Sequence, residues 1–396
     1  MKKRLAAIFR PDSSYQAFFL SVVTVGLAYG LYKGVIDNYL AEVVGMSGFD
    51  KGVSEFFREL PGLLLVLILA ALYTFSAERI YKIGAVFMLI GMAAQAVVPA
   101  NRVLVILCIF IFSLGDHMQL GMRNTLSLQY SKKGRGGEAL GMQNAAQQIG
   151  TLAGYLVIIG AFFFIKNSSW LYKAAFAVSA AIIGLGFFSS LRMKGESTPD
   201  DSKRRFYFRK KYTKYYMLEV FYGARKQVFF TFGPYVLVLF YGANAMVISV
   251  LFAVSAICSF FLSPLIGKLI DRVGYKIVMI SDTLILVIVC FFYGFAHHIF
   301  PQNVAFIVCC VNYILDSIIS LASMASNVYV QDLSDNPEEV RATISTGVSV
   351  NHFITILIAL FGGWIWQALG IETLFILSAV LGLCNSAYAA TIKTKK

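Results

Sequence analysis

Long apolar runs, separated by short polar breaks, follow one another along almost the whole of this 396-residue chain. Hydrophobic residues make up 58% of the sequence and charged residues only 14%, and the mean hydropathy is +0.71. This balance excludes an ordinary soluble globular protein. Because about 20 apolar residues per helix cross the hydrocarbon core of a bilayer, the runs predict an all-α protein that crosses the membrane many times.

Twelve of these runs are long enough to be membrane-spanning helices. An even number of crossings places both termini on the same side of the membrane. The expected helices cover 15–40, 52–77, 80–99, 103–129, 137–165, 170–192, 213–241, 244–270, 275–297, 302–331, 340–367 and 371–391.

The basic residues are unevenly distributed among the polar breaks. The chain has 34 Lys and Arg against 21 Asp and Glu, an excess that would suggest a nucleic-acid partner in a soluble protein. Here most of them lie at the N-terminus, in the even-numbered breaks, in residues 192–214 and at the C-terminus. The odd-numbered breaks contain only Lys51, Arg102, Lys166 and Lys173. The positive-inside rule therefore predicts a multi-pass protein of the plasma or inner membrane, with both termini in the cytoplasm and no nucleic-acid partner.

All six cysteines lie inside expected helices, so neither a disulfide framework nor a zinc spacing is present. We expect packing roles for them, and neither a cofactor nor a metal. The first apolar run lacks a small-residue cleavage site, so a removed signal peptide is not expected. The cysteines are Cys108, Cys258, Cys290, Cys309, Cys310 and Cys384.

The longest polar segment divides the runs into six and six. Its basic stretch 203–211 is interpreted as an orientation signal and headgroup anchor, with regulation by anionic lipid as the alternative. Tyr29-Gly30-x-x-Lys33 recurs 193 residues later as Tyr222-Gly223-x-x-Lys226. These features predict two pseudo-symmetric six-helix bundles, 1–192 and 213–396, joined by a cytoplasmic linker at 193–212.

A charged motif, Gly267-Lys-Leu-Ile-Asp271-Arg272-Val-Gly274-Tyr-Lys276, joins the eighth and ninth runs by a tight turn. It resembles the loop signature of the major facilitator superfamily, Gly-x-Leu-x-Asp-Arg-x-Gly-x-Lys/Arg. Residues 134–141 before helix five and 337–345 before helix eleven resemble the superfamily as well. The first-half counterpart keeps Glu78-Arg79, but Thr74 and Tyr81 replace the two motif glycines.

The resemblance implies a monomeric secondary transporter with the twelve-helix fold of that superfamily. Its two halves would rock about a small-molecule site surrounded by helices one, four, seven and ten. It further implies a cytoplasmic gate, in which Asp271 faces the N-terminus of helix five and Gly274 permits a sharp turn. The residues assigned to the gate are Glu78, Arg79, Arg135, Gly267, Asp271, Arg272, Gly274 and Arg341.

Ten charged residues within the expected helices carry the functional argument: Lys33, Asp37, Arg58, Glu59, Asp116, Arg123, Glu219, Arg225, Lys226 and Asp316. Each would cost about 2.5 to 3.5 kcal/mol at the bilayer centre, so we expect them to line an interior. Eight lie on helices one, four, seven and ten, which favours a water-filled pathway. The alternative is buried ion pairs that lock the bundle, such as Lys33 with Asp37 and Glu219 with Lys226.

From these residues and Asn312 we predict a site for an anionic or zwitterionic solute. Arginine suits forked carboxylate or phosphate contacts. A carboxyl in a partly dry cavity favours its protonated form, so a proton is the expected coupling ion and sodium the alternative. Substrate binding is assigned to Lys33, Asp37, Arg58, Glu59, Asp116, Arg123, Arg225, Lys226, Asn312 and Asp316, and ion coupling to Asp116, Asp316 and Glu219.

Glycines at four-residue intervals on helix one, Gly26, Gly30 and Gly34, predict close helix packing. In helix five, Gly141, Gly150 and Gly154 reproduce the glycine spacing of the superfamily's antiporter motif. Tyr155 replaces the proline expected there, so we interpret these glycines as packing residues too.

Other functions remain as alternatives. A multidrug efflux antiporter would suit the 21 tyrosines and 34 phenylalanines if they crowd the cavity, and a non-transporting membrane sensor is a further alternative. No ATPase-type phosphate loop or nucleophile triad is found, so an enzyme is not expected. His117 and His352 fit proton relay and packing equally well, whereas His297-His298 lacks further ligands for a metal.

Overall fold

The computed structural model describes residues 7–11, 14–72, 74–165, 168–193 and 208–393, without the side chains of residues 66, 70, 337, 338 and 341. Long helices make up most of these residues. They are α1 Tyr15–Asn38, α2 Gly48–Ala71, α3 Ala77–Val97, α4 Arg102–Tyr130, α5 Gly136–Phe164, α6 Ser169–Leu191, α7 Thr213–Tyr241, α8 Ala245–Val273, α9 Tyr275–Ile299, α10 Gln302–Ile319, α11 Met324–Leu333 and α12 Pro337–Ala390.

Within the described residues, nine helical segments are long and apolar enough to cross a membrane. Helices α2 and α7 are comparably long but more polar. The expected tenth helix is α10 and α11 joined by a 3₁₀ turn, Ser320–Ser323. The expected eleventh and twelfth helices are the two parts of α12, divided where Gly370 takes φ +88° and ψ 166°. The expected all-α membrane fold of twelve helices is confirmed.

The chain packs as two units. One comprises Met1–Val44, Leu60–Lys203 and Asn244–Val250, and the other Gly45–Glu59, Arg204–Ala243 and Leu251–Lys396. The first part of α2 thus belongs to the second unit, and the first residues of α8 belong to the first unit. Most of the expected linker, residues 194–207, lies outside the described part of the chain, so the linker and the domain limits remain predictions.

In the first unit, α1 packs against α5 and α6, and α3 packs against α4 and α6. The contact between α1 and α5 depends on glycine. A Cβ atom at Gly30 would overlap the backbone carbonyl of Thr151, and one at Gly154 would lie 2.8 Å from the carbonyl carbon of Gly30. The two backbones meet without intervening side chains, so the predicted packing role of Gly26, Gly30, Gly150 and Gly154 is confirmed. The same prediction is wrong for Gly141, where a Cβ would meet nothing within 4 Å.

In the second unit, α12 packs along α7 and α9, and α10 packs against α9. Helix α7 ends at Gly242, whose φ of +66° gives a left-handed C-terminal cap. Helix α12 is capped by Asn336, whose side chain accepts a hydrogen bond from the Glu339 N–H (2.8 Å), and the Glu339 carboxylate accepts one from the Asp335 N–H (2.9 Å).

The turn between α8 and α9 is a single residue. Gly274 takes φ +86° and ψ 147°, a region that non-glycine residues avoid, so its predicted role in the turn is confirmed. The expected limit of helix eight, residue 270, is too early. Asp271 and Arg272 continue α8 to Val273, because neither glycine nor proline lies between residue 270 and Gly274.

Gly154→Leu should lower thermal stability, because the added side chain would overlap the α1 backbone and overpacking costs about 1 to 3 kcal/mol. Thermal unfolding of the detergent-solubilised protein, followed by tryptophan fluorescence, measures the effect. Gly160→Leu on the same helix is the matched control, since a Cβ there meets nothing within 4 Å. Equal melting temperatures for the two variants would contradict the glycine contact.

Candidate functional site

The second unit gathers four charged side chains and one tyrosine from three of its helices. Helix α7 supplies Glu219, Tyr222 and Arg225, α9 supplies Asp282, and α10 supplies Asp316. We call these five residues the C-terminal charge cluster. Glu219, Arg225 and Asp316 are among the site residues predicted from the sequence, whereas Asp282 is not.

Arg225 holds the cluster together. Its side chain is only 1% exposed, and its Nη2 donates to Oδ2 of Asp282 at 3.0 Å. Its guanidinium lies over the Tyr222 ring, 5.0 Å from the centroid. Its Nε and Nη1 have no hydrogen-bond partner among the residues that the structure describes. Arg225 therefore has buried N–H groups that donate to no described residue.

Asp316 lies one turn before the break in the tenth helix. It is 7% exposed, and within the described part of the chain its Oδ1 has no hydrogen-bond partner. In the break that follows, the Ser320 carbonyl accepts a hydrogen bond from the Tyr222 hydroxyl at 3.1 Å. A short 3₁₀ segment within a helix is a frequent place for a hinge. Asn312, one turn before Asp316, donates its amide to the Val308 carbonyl at 2.7 Å.

Glu219 does not form the ion pair with Lys226 that the alternative interpretation names. Its Oε1 accepts a hydrogen bond from the Ser326 hydroxyl at 3.0 Å, and its Oε2 accepts one from the Asn351 amide at 3.2 Å. Lys226 is exposed, with its ammonium 5.9 Å from the Tyr222 ring centroid. The carboxylate is satisfied by neutral donors, which α11 and α12 bring to it.

A second set, which we call the α2 charge network, joins the start of α2 to α12 in the same unit. Lys51 donates to Glu55 at 2.7 Å, and Nε of Arg58 donates to the other oxygen of Glu55 at 2.5 Å. Nη2 of Arg58 also pairs with Glu59, whose Oε2 lies 3.1 Å from Nδ1 of His352. Four charges and one histidine thus form a continuous chain.

Two features of this network differ from expectation. Lys51 is expected in a loop between helices, but it lies in α2 and is 1% exposed. Glu55 is not among the predicted site residues, although Lys51, Glu55 and Glu59 repeat every four residues and so lie along one helix face. That spacing is the signal that could have identified them.

In the first unit, Lys33 and Asp37 form an ion pair of 3.2 Å on α1, with side-chain exposures of 10% and 1%. The ion pair named in the alternative interpretation is therefore present, and the assignment of both residues to substrate binding stays a prediction. One turn further on, Glu42 accepts hydrogen bonds from Asn38 and from the Tyr172 hydroxyl, both at 2.7 Å.

Helix α4 carries the other first-unit residues. Asp116 is half-buried, and Arg123, two turns away on the same face, is 2% exposed. Nε and Nη1 of Arg123 have no hydrogen-bond partner among the described residues. Nδ1 of His117 lies 2.9 Å from the Ser113 carbonyl, a contact within one helix turn.

The residues assigned to the gate differ in their surroundings. Glu78 is 1% exposed and accepts a hydrogen bond from the Tyr130 hydroxyl at 3.4 Å, whereas Arg79 is exposed. Arg135 forms an exposed ion pair with Glu138 at 2.6 Å. Asp271 and Arg272 are exposed, Gly267 lies inside α8, and the Arg341 side chain lies outside the described residues. Their gating role remains a prediction.

Both the sequence and the fold resemble known membrane proteins. The sequence profile of the Major Facilitator Superfamily matches residues 215–395. No curated protein matches the chain. The structure resembles a mutant of the nucleoside transporter NupG, with a TM-score of 0.76 and 18% identity, over 96% of this chain and 100% of that one.

Two further solved structures share the fold. A mutant of the peptide transporter POT in complex with sulfate gives a TM-score of 0.73 at 13% identity, over 98% of both chains. A D-xylose–proton symporter gives 0.73 at 14% identity, over 95% of this chain and 96% of that one. The expected resemblance to the major facilitator superfamily is thus found in residues 215–395 by the sequence profile, and in almost the whole chain by the fold. Its long apolar helices make it a multi-pass membrane protein, and its fold is the one found in these solved transporters.

Asp282→Asn should destabilise the protein, because Arg225 would remain buried beside a neutral amide. Breaking a buried pair by removing one partner costs about 3 to 5 kcal/mol. Thermal unfolding in detergent measures the loss, and the double variant Arg225→Met/Asp282→Asn should recover part of it.

The exposed pair is the matched control. Glu138→Gln breaks the Arg135–Glu138 bridge, whose side chains are 48% and 52% exposed, and should change stability by no more than about 1 kcal/mol. If Asp282→Asn is no more harmful than Glu138→Gln, the Arg225–Asp282 pair does not stabilise the unit.

Proposed function

We propose that this transporter carries a small anionic or zwitterionic solute across the cell membrane by alternating access, coupled to protons. Both termini would lie in the cytoplasm. The observation that carries the proposal is the C-terminal charge cluster, where Arg225 has unused N–H donors and Asp316 has an unused oxygen among the described residues. Both side chains are more than nine-tenths buried.

The unused donors favour an anionic group on the solute. A buried donor without an acceptor costs about 1 to 3 kcal/mol, which a bound carboxylate or phosphate would remove. The planar guanidinium presents two parallel N–H groups to such an anion. Arg123 in the first unit has the same unused atoms, Nε and Nη1, so each unit offers a buried arginine.

The unused oxygen of Asp316 supports a proton or an ammonium group as its partner. An isolated carboxylate is costly to bury, and binding a proton removes its charge. A solute ammonium would satisfy the same oxygen, which is why a zwitterion fits the cluster. Glu219 already accepts two hydrogen bonds from neutral donors, so Asp316 is the first carboxyl to test for proton coupling.

The broken tenth helix links the cluster to a conformational change. Asp316 lies one turn before the 3₁₀ turn Ser320–Ser323, and the Tyr222 hydroxyl donates to a carbonyl of that turn. Tyr222 also stacks on Arg225. A change in the charge around Arg225 therefore has a direct path, through one side chain, to the flexible point of the helix.

Asp316→Asn should abolish uphill accumulation driven by a pH gradient, because an amide cannot exchange a proton. Reconstituted liposomes with an imposed pH step measure this with labelled solutes of four kinds: a monocarboxylate, a phosphate ester, an amino acid and a neutral sugar. We expect uptake of the charged solutes only, and exchange of unlabelled for labelled solute should survive in the variant. Asp116→Asn should behave in the same way.

Asp335→Asn is the control, because Asp335 is 84% exposed and pairs with Lys211 at 2.8 Å. It should accumulate solute as the wild type does. If both Asp316→Asn and Asp116→Asn concentrate solute normally, proton coupling through these carboxyls is wrong. Accumulation that follows a sodium gradient in place of a pH gradient would assign sodium as the coupling ion.

A further inference from the structure

Two adjacent histidines and a glutamate meet at one end of α9. Nε2 of His298 lies 2.8 Å from Oε1 of Glu372, and Nε2 of His297 lies 3.2 Å from the same oxygen. The two imidazole ring centroids are 3.9 Å apart. Neighbouring helical residues usually point about 100° apart, so the convergence of both imidazoles on one oxygen is unusual.

The glutamate is brought there by the break in α12. Gly370 takes φ +88° and ψ 166°, a conformation open in practice only to glycine. Glu372 lies two residues later, in the first turn of the helix segment that follows. A Cβ atom at residue 370 would come within 2.7 Å of Oε2 of Glu372. Glycine is therefore required for the bend, and a side chain at residue 370 would displace the carboxylate from its present place.

We propose that His297, His298 and Glu372 bind a divalent transition-metal ion, for which zinc is the probe. Two imidazole nitrogens and one carboxylate oxygen are a recurrent ligand set for zinc. The three ligand atoms lie within 4.8 Å of one another. Tetrahedral coordination with bonds of about 2.0 to 2.2 Å separates ligand atoms by about 3.3 Å, so small side-chain movements suffice.

The exposure of the group suits an accessible site. The side chains of His297, His298 and Glu372 are 24%, 57% and 28% exposed, which leaves the fourth position open to water. The His297 ring also contacts Phe240 of α7, with centroids 5.5 Å apart. An ion bound here would join α9 to the last segment of α12, because its ligands come from both.

The test uses the full-length protein purified in detergent without a polyhistidine tag and stripped of metal by a chelator. Titration calorimetry with zinc should show one ion bound per chain. The melting temperature should rise with zinc concentration, since a ligand that binds only the folded state stabilises it. With cobalt in place of zinc, the absorption spectrum should show ligand-field bands from nitrogen and oxygen ligands.

Glu372→Gln and His298→Ala should each weaken zinc binding by about tenfold or more, since even outer-shell substitutions cost 10- to 100-fold. Both should leave the melting temperature in chelator close to that of the wild type. Asp335→Asn removes an exposed carboxylate elsewhere and should bind zinc normally. Absence of stoichiometric binding in the wild type, or binding that survives both substitutions, would overturn the proposal without regard to transport.

Discussion

The cost of placing charge in apolar surroundings is the constraint on which the rest of this structure depends. The two units lower this cost in two ways. Lys33–Asp37 and Lys51–Glu55 are pairs within one helix, four residues apart, so each helix carries its own neutralisation before it packs. Arg225–Asp282 joins α7 to α9 and exists only after these helices assemble. The first kind lowers the cost of insertion, and the second makes packing specific.

The buried polar atoms without a hydrogen-bond partner are as informative as the ion pairs. Arg225 and Asp316 are buried in the same unit, and each keeps atoms without a hydrogen-bond partner among the described residues. A protein selected only for stability would gain about 1 to 3 kcal/mol for each such atom that it satisfied. In a transporter the same atoms can contribute to binding, because a solute with matching acceptors and donors would form the missing hydrogen bonds. The carboxylate of the neighbouring Glu219 already accepts hydrogen bonds from neutral donors and has less to gain from a solute.

The sequence predicts the parts of the fold that depend on local composition. The lengths of the apolar runs predict the helices, and the charged loop motif identifies Gly274. The four-residue spacing of glycines identifies the contact between α1 and α5. The predictions that were wrong or missing also have physical reasons. A residue on a helix turns about 100° from its neighbour, so which of Glu219's possible partners it meets depends on the rotation of packed helices. Asp282 is overlooked as a single acid in an apolar run, and Lys51 because the expected second helix begins after it.

The glycine contact between α1 and α5 has a mechanical consequence. The backbones of the two helices touch where glycines stand four residues apart, and a Cβ at these positions would overlap the partner's backbone. Axial sliding by less than one helix turn would bring a side chain against that backbone. The contact therefore fixes the register of α1 against α5, and with it the height of Lys33 and Asp37 in the first unit.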